Sequence, residues 1–226
     1  MPDLPLSFLH RPADPSVAAP WLLVLMHGVG SNEQDLFGLA SYVPKNFHVI
    51  SLRAPYAMGP SAYGWFAFSV DAQGERSINE AQEAASRKVV AETLAAAAEQ
   101  LGIPSERVVV GGFSQGGIMS LSLLLTQPKL MHAAMVMHSR LLQQVLPLVA
   151  PAEELQGKQL WLSHGTHDQV IPLTAAHVIR DLVTTLPIEL TYAEYPSQHE
   201  IIERELAEAM GWLQGLSAKL DGGSTL

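Results

Sequence analysis

The 226 residues carry 13 basic and 22 acidic side chains, a formal net charge of −9, and no cysteine. That length suits one domain, or at most two small ones. The missing cysteines exclude disulfides, thiolate catalysis and cysteine zinc sites together, and fit a reducing cytoplasm. No Lys/Arg run is present, so nucleic acid and anionic membrane are poor partners for this chain. The stretch MPDLPLSFLHRPADP lacks the basic start and apolar core of a signal peptide, and the apolar run 21–26 is too short to span a bilayer. A cytoplasmic protein is the expectation.

Leu4–Leu9 reads as a short edge strand confined by prolines, and Arg11–Pro20 as a Pro/Ala loop. Trp21–Met26 is apolar without alternation, the pattern of a strand buried on both faces. It runs into His27-Gly28-Val29-Gly30-Ser31-Asn32, a turn rich in breakers. A short helix over Glu33–Ser41 and a strand over Phe47–Leu52 follow. Tyr56–Glu75 reads as a long irregular loop carrying Tyr63, Trp65, Phe66 and other aromatics. Loops this long inside a compact domain are often functional. Tyr63, Trp65 and Phe66 are therefore candidates for a substrate cleft, and equally for plugs that fix the loop to the core.

Ser77-Ile-Asn-Glu80 has the form of a capping box and predicts an Ala-rich helix to about Gln100, closed by Gly102 and Pro104. Next comes VVVGGFSQGGIM, residues 108–119: three β-branched residues, a glycine pair, one serine, another glycine pair, then an apolar run to Leu125. This predicts a buried strand, a sharp turn at Ser114 and a buried helix. Gly112 to Gly116 fits G-x-S-x-G, in which the flanking glycines let strand and helix backbones pass closely around a strained serine. The plainer alternative is a Gly-rich turn whose serine caps the helix.

Further strands are expected over Ala133–Met137, Lys158–Ser163 and Ile188–Ala193, with a helix over Pro172–Leu186. After Tyr195-Pro-Ser-Gln-His199 a last helix places Ile202, Leu206, Ala209, Leu213 and Leu216 on one face. The tail Ser217–Leu226 is polar and Gly-rich, hence expected to fray. Strands alternating with helices predict an α/β fold: a mostly parallel sheet covered on both faces, in one domain over 1–226 with its core at about 4–216. Sites in such sheets form at the C-terminal ends of strands, where the turns at His27, Ser114, Asp168 and His199 all fall.

A serine hydroxyl needs a base, and the base needs a partner that fixes its tautomer. Ser114, Asp168 and His199 stand in the chain order Ser…Asp…His of this arrangement on an α/β sheet. His27 and His164 read as structural, and His138 as a histidine without site context. His167 is the rival base, but adjacent residues such as His167 and Asp168 seldom face each other. Asp168 has a plainer reading too, as an Asx-turn or helix cap. A tetrahedral oxyanion requires donors. The N–H of Gln115 is one, and the Val29 N–H in the flexible turn after the first buried strand is the other.

With those residues in view, LMHGVGSNEQDL, VVVGGFSQGGIMSL, LSHGTHDQVIP and QHEI together resemble the carboxylesterase/phospholipase family of α/β-hydrolases, which includes the acyl-protein thioesterases. The resemblance runs from about Trp21 to Leu216. It implies an α/β-hydrolase fold without a large cap, and serine hydrolysis of carboxylic esters or thioesters without cofactor or metal. It also implies the triad Ser114, Asp168, His199, with oxyanion donors at Val29 and Gln115. The family often has glycine where this chain has Gln198, and Leu-Ser-Gly-Arg where it has Met137-His138-Ser139-Arg140. The expected activity is a serine carboxylesterase, with thioesterase or lysophospholipase as alternatives. A non-catalytic small-ligand binder on the same fold is an alternative of another class. The expected partner is a small ester or thioester, and the expected state a monomer or homodimer.

Overall fold

A computed structural model of the chain describes residues 3–72 and 76–222. In chain order the elements are β1 (Phe8–Arg11), β2 (Trp21–Met26), α1 (Gln34–Phe37), β3 (Phe47–Leu52), β4 (Tyr56–Gly59), β5 (Ala62–Gly64), β6 (Phe68–Val70) and β7 (Arg76–Ile78). Then follow α2 (Glu80–Leu101), β8 (Val108–Phe113), α3 (Gln115–Thr126), β9 (Ala133–Met137), α4 (Ala152–Leu155), β10 (Lys158–Gly165), α5 (Leu173–Val183), β11 (Ile188–Tyr195) and α6 (Glu203–Gly222).

Seven strands form one sheet in the order β1-β3-β2-β8-β9-β10-β11. β1 pairs antiparallel with β3, and the other neighbours are parallel. The lack of alternation in WLLVLM has a direct cause, since both faces of β2 are covered. Leu22, Val24 and Met26 join Leu94 of α2, Ile118 of α3 and Ile179 of α5 in one core layer. Trp21, Leu23 and Leu25 join Leu36 of α1 and Ala209, Leu213 and Leu216 of α6 in the other. This is the mostly parallel, doubly covered sheet that the sequence predicts.

Four local expectations change. The first strand lies at Phe8–Arg11 rather than Leu4–Leu9. The stretch read as irregular loop from Tyr56 folds into two antiparallel hairpins, β4–β5 and β6–β7; residues 73–75 lie outside the described residues. Ser77 is not the cap of α2, because its hydroxyl bonds across the second hairpin to Ser69 Oγ at 2.8 Å. Asn79 caps the helix instead, its side chain taking the Gln82 N–H at 3.0 Å. Finally, residues 217–222 continue α6 rather than fray. Leu216 is buried and Leu220 packs on the same layer, so the apolar stripe runs one turn further than the polar composition suggests. Residues 223–226 lie outside the described residues.

Among the described residues no helix is long and apolar enough to cross a membrane.

Candidate active site

Five strand ends meet on one edge of the sheet. His27 follows β2, Ser114 follows β8, His138 follows β9, Asp168 stands just after β10 and His199 just after β11. Parallel strands all end on the same side, which is why residues far apart in sequence gather here.

Ser114 sits at the sharpest point. Its backbone has φ 55° and ψ −116°, a conformation most non-glycine residues avoid. The turn is held by Ser114 N–H donating to Met137 O at 2.9 Å and by Ser139 Oγ–H donating to Ser114 O at 3.0 Å. A Cβ at Gly116 would lie 1.9 Å from Met26 O, so α3 rests directly against the end of β2. A Cβ at Gly112 would lie 2.2 Å from the Gly116 backbone, which is the close approach its spacing predicts.

The structure brings Ser114, His199 and Asp168 into one hydrogen-bonded chain. Ser114 Oγ–H donates to His199 Nε2 at 2.9 Å, and His199 Nδ1–H donates to Asp168 Oδ2 at 2.6 Å. Asp168 Oδ1 accepts the N–H groups of Val170 at 2.9 Å and Ile171 at 2.8 Å. The Asx-turn weighed as an alternative for Asp168 is thus present together with the histidine contact, one oxygen serving each. Burial pushes the Asp168 carboxyl up, but the bonds from His199, Ile171 and His138 outweigh it and hold it below the ordinary range. His167 is exposed, with its backbone N–H on Ser197 O.

Three other histidines are buried at this edge. His27 Nδ1–H donates to Gly28 O at 2.7 Å while Nε2 accepts the Ala54 N–H at 3.1 Å, and burial lowers its pKa. His164 Nε2–H donates to Ile171 O at 2.8 Å, and burial lowers its pKa too. His138 departs from the sequence reading. It was expected to lack site context, yet its Nδ1 lies 3.3 Å from Asp168 Oδ2 and its Nε2 3.1 Å from Glu205 Oε2. The signal in the sequence was the departure from Leu-Ser-Gly-Arg at this strand end. Glu205 carried none, because a glutamate in the first turn of a helix reads as solvated.

His138, Asp168 and His199 bring one nitrogen or oxygen each within 4.8 Å of one another, the spacing of a metal-ligand set. A ring nitrogen that donates to Asp168 has no lone pair left for a cation, so this trio is bonded to itself.

Residues 11–217 match the model of the Phospholipase/Carboxylesterase family. The chain belongs to the phospholipase/carboxylesterase family. It is similar to acyl-protein thioesterase 1 of Gibberella zeae, 30% identical over 116 residues that cover 50% of this chain and 49% of that protein. The chain thus spans about half the length of this curated relative. Acyl-protein thioesterase 1 of Cryptococcus neoformans is 24% identical over 178 residues, 74% of each chain. Among solved structures, esterase PE8 superposes with a TM-score of 0.76 at 25% identity, covering 93% of this chain and 99% of that one. The carboxylesterase of Mesorhizobium loti gives 0.80 at 21% identity, covering 95% and 97%. These likenesses carry the α/β-hydrolase fold.

In this family member the edge carries two cavities, one lined by Ser114 and the other by His199. The smaller, about 80 Å³, is lined by Val29, Phe66, Phe68, Ser114, Gln115, Ile118, Arg140, Val170 and Ile171. The other, about 270 Å³, is lined by Asp35, Leu36, Leu39, Phe113, His199, Glu200 and Ile201. A larger depression of about 770 Å³ between the 42–46 segment and α6 contains none of these site residues. Of the three aromatics named from sequence, only Phe66 lines the smaller cavity. Trp65 is fully buried, its Nε1–H donating to His27 O at 2.9 Å. Tyr63 accepts the Gly30 N–H on its carbonyl at 2.8 Å and lies under Arg53. Phe68, another aromatic of that stretch, lines it as well. Ile118, Val170 and Ile171 line the cavity without having been singled out, since only the folded turn brings them together.

Gln115 holds the hairpin segment over the serine. Its Oε1 accepts the Trp65 N–H at 2.7 Å and its Nε2 donates to Phe66 O at 2.7 Å. Among the described residues no protein acceptor takes the backbone N–H of Val29 or of Gln115. Both residues border the same small cavity as Ser114.

Proposed function

We propose that this protein is a serine hydrolase that cleaves carboxylic esters through an acyl-enzyme on Ser114. The observation that carries this reading is the unbroken hydrogen-bonded chain from Ser114 Oγ through His199 to Asp168, with contacts of 2.9 and 2.6 Å. His199 Nε2 takes the hydroxyl proton as Oγ attacks the ester carbonyl carbon. The imidazolium formed is stabilised by Asp168, which stays ionised. The tetrahedral oxyanion sits between the N–H groups of Val29 and Gln115, at the N-terminus of α3. Collapse breaks the bond to the leaving group, which receives the proton from His199 Nε2. Water then repeats the sequence on the acyl-enzyme, with His199 as base and Ser114 as leaving group.

The two cavities follow from the same chemistry. The oxyanion donors border the smaller cavity, so the acyl chain lies there, among apolar side chains. The leaving group must reach the proton on His199, so it lies in the cavity that His199 lines. Thioester cleavage is the second reading, supported by the relatives named acyl-protein thioesterase 1. The ratio of kcat/KM for an ester and a thioester of one acyl group separates the two.

A fluorophosphonate probe tests the nucleophile. Labelling is expected at Ser114 in the unaltered protein, and the Ser114→Ala protein should bind no label. It should also lose hydrolysis by about 10⁴-fold or more, while remaining folded. Near-normal turnover by the folded variant would remove Ser114 as the nucleophile, whereas no labelling at Ser114 in the unaltered protein would leave a binding module on this fold as the better reading.

A further inference from the structure

The hydrogen-bonded chain does not stop at Asp168. Behind it His138 is fully buried, with Asp168 Oδ2 3.3 Å from one ring nitrogen and Glu205 Oε2 3.1 Å from the other. Glu205 is also fully buried, and its second oxygen accepts the Ser163 hydroxyl at 2.7 Å. Every oxygen of both carboxylates is thus engaged as an acceptor. With both carboxylates ionised, neither has a proton to give, so the ring between them donates twice, and only the imidazolium has two N–H groups. A buried carboxylate such as Glu205 also needs a cation beside it, and His138 is the group in contact.

The other groups facing His138 fit a single charge at that point. His164 stacks on it at 5.3 Å and stays neutral, giving its one N–H to Ile171 O. His199 stands edge-on with ring centroids 5.8 Å apart, and Phe113 lies at 5.4 Å. The His138 backbone, at φ 49°, is in the left-handed region, and its N–H is tied to Ser163 O at 2.9 Å.

We propose that His138 is a positioning residue: an imidazolium clamped between Asp168 and Glu205, it holds Asp168 Oδ2 in line with His199 and keeps a second proton off the Ser114–His199–Asp168 chain in mild acid. The proposal rests on the reading of that chain as the catalytic triad. Burial pulls the His138 pKa down, but the bonds and charges of Glu205 and Asp168 outweigh it and the net direction is upward. The sign of the effect follows from distance. The positive ring is the nearer charge to His199, while Glu205 sits on the ring nitrogen turned away from Asp168, so the positive end dominates. The charge on His138 therefore opposes a second positive charge on the triad.

The test is the double variant His138→Asn with Glu205→Gln, which exchanges the charged pair for two neutral amides. Asparagine tolerates the left-handed backbone at 138. The kcat/KM on an activated ester at pH 5.5, divided by that at pH 8, is expected to fall about threefold to tenfold below the ratio of the unaltered protein. Mere loss of packing lowers both values alike and leaves the ratio unmoved, so an unmoved or raised ratio overturns the proposal. A second measurement needs no variant. In the unaltered protein labelled with ¹⁵N-histidine, both ring nitrogens of His138 should carry protons at pH 7, and one bare nitrogen overturns the proposal. If folded Ser114→Ala protein still turns over, the triad reading fails and this inference with it. A dead Ser114→Ala protein with an unmoved pH ratio removes the role of His138 alone.

Discussion

At the scale of single residues, Gln115 separates two tasks that one position performs. Its backbone N–H is an oxyanion donor in the proposed mechanism, and its side chain bonds the backbone of Trp65 and Phe66. Gln115→Ala keeps the first and removes the second. It leaves the buried Trp65 N–H and Phe66 C=O without their partner, which costs about 1–3 kcal/mol of stability for each such group. The loss in kcat should stay under about tenfold, since the donor survives. Gln115→Pro removes the donor, and loss of one oxyanion donor costs about 10²–10³ in kcat. Proline suits the first helical turn, because that N–H has no helical partner. Thermal unfolding and kcat on one activated ester check both variants. Equal damage to kcat in folded alanine and proline proteins would place the chemistry on the side chain.

At the scale of elements, the sharp turn at Ser114 is a contact between β2, β8 and α3 that only glycine permits. A methyl group at Gly116 would meet the Met26 carbonyl at 1.9 Å, and its neighbour there is backbone, which cannot rotate away. Gly116→Ala must therefore push α3 off β2 and carry Ser114 out of line with His199. Overpacking of this kind costs about 1–3 kcal/mol when side chains can adjust and more when backbone must move. The expected outcome is a lower Tm together with a kcat reduced by about 10²-fold or more, since small displacements are costly at a reacting centre. A folded variant with near-normal kcat would show that the close packing does not position the serine. This element was legible in the sequence because its glycine spacing reports backbone contact directly. The cap of α2 was not legible in the same way. Ser77 and Asn79 both suit a helix start, and only the pairing of Ser77 with Ser69 across a hairpin decides for Asn79. The last turn of α6 was misread because Leu220 is a single apolar residue in a polar stretch, and its burial depends on the sheet beneath it.

At the scale of the whole molecule, the parallel sheet gathers residues far apart in the chain at one edge, the candidate active site. Ser114, Asp168 and His199 could be picked out from sequence because each follows a strand, and parallel strands end together. His138 obeys the same rule but lacked a visible partner, because Glu205 comes from the opposite core layer and only the three-dimensional packing joins them. The candidate cleft was the least legible feature, being assembled from β-hairpins, α1, α3 and two turns. Its division into two cavities leads to the last expectation. If the acyl chain lies against Phe66, Phe68, Ile118 and Val170, a space of about 80 Å³ suits short chains. Butyryl esters should then exceed dodecanoyl esters of the same alcohol by about tenfold or more in kcat/KM, a margin that misfit of a few methylenes supplies. Phe68 is 42% exposed, so Phe68→Ala opens the cavity at little cost to the fold and should narrow that margin. Leu39→Trp instead fills the cavity beside His199 and should raise KM for bulky alcohol groups while leaving the acyl preference intact. An ester panel graded separately in acyl and alcohol size reads both effects. If Leu39→Trp alters the acyl ranking and Phe68→Ala the alcohol ranking, the two cavities have been assigned the wrong way round, and the oxyanion donors must lie on the α1 side of Ser114.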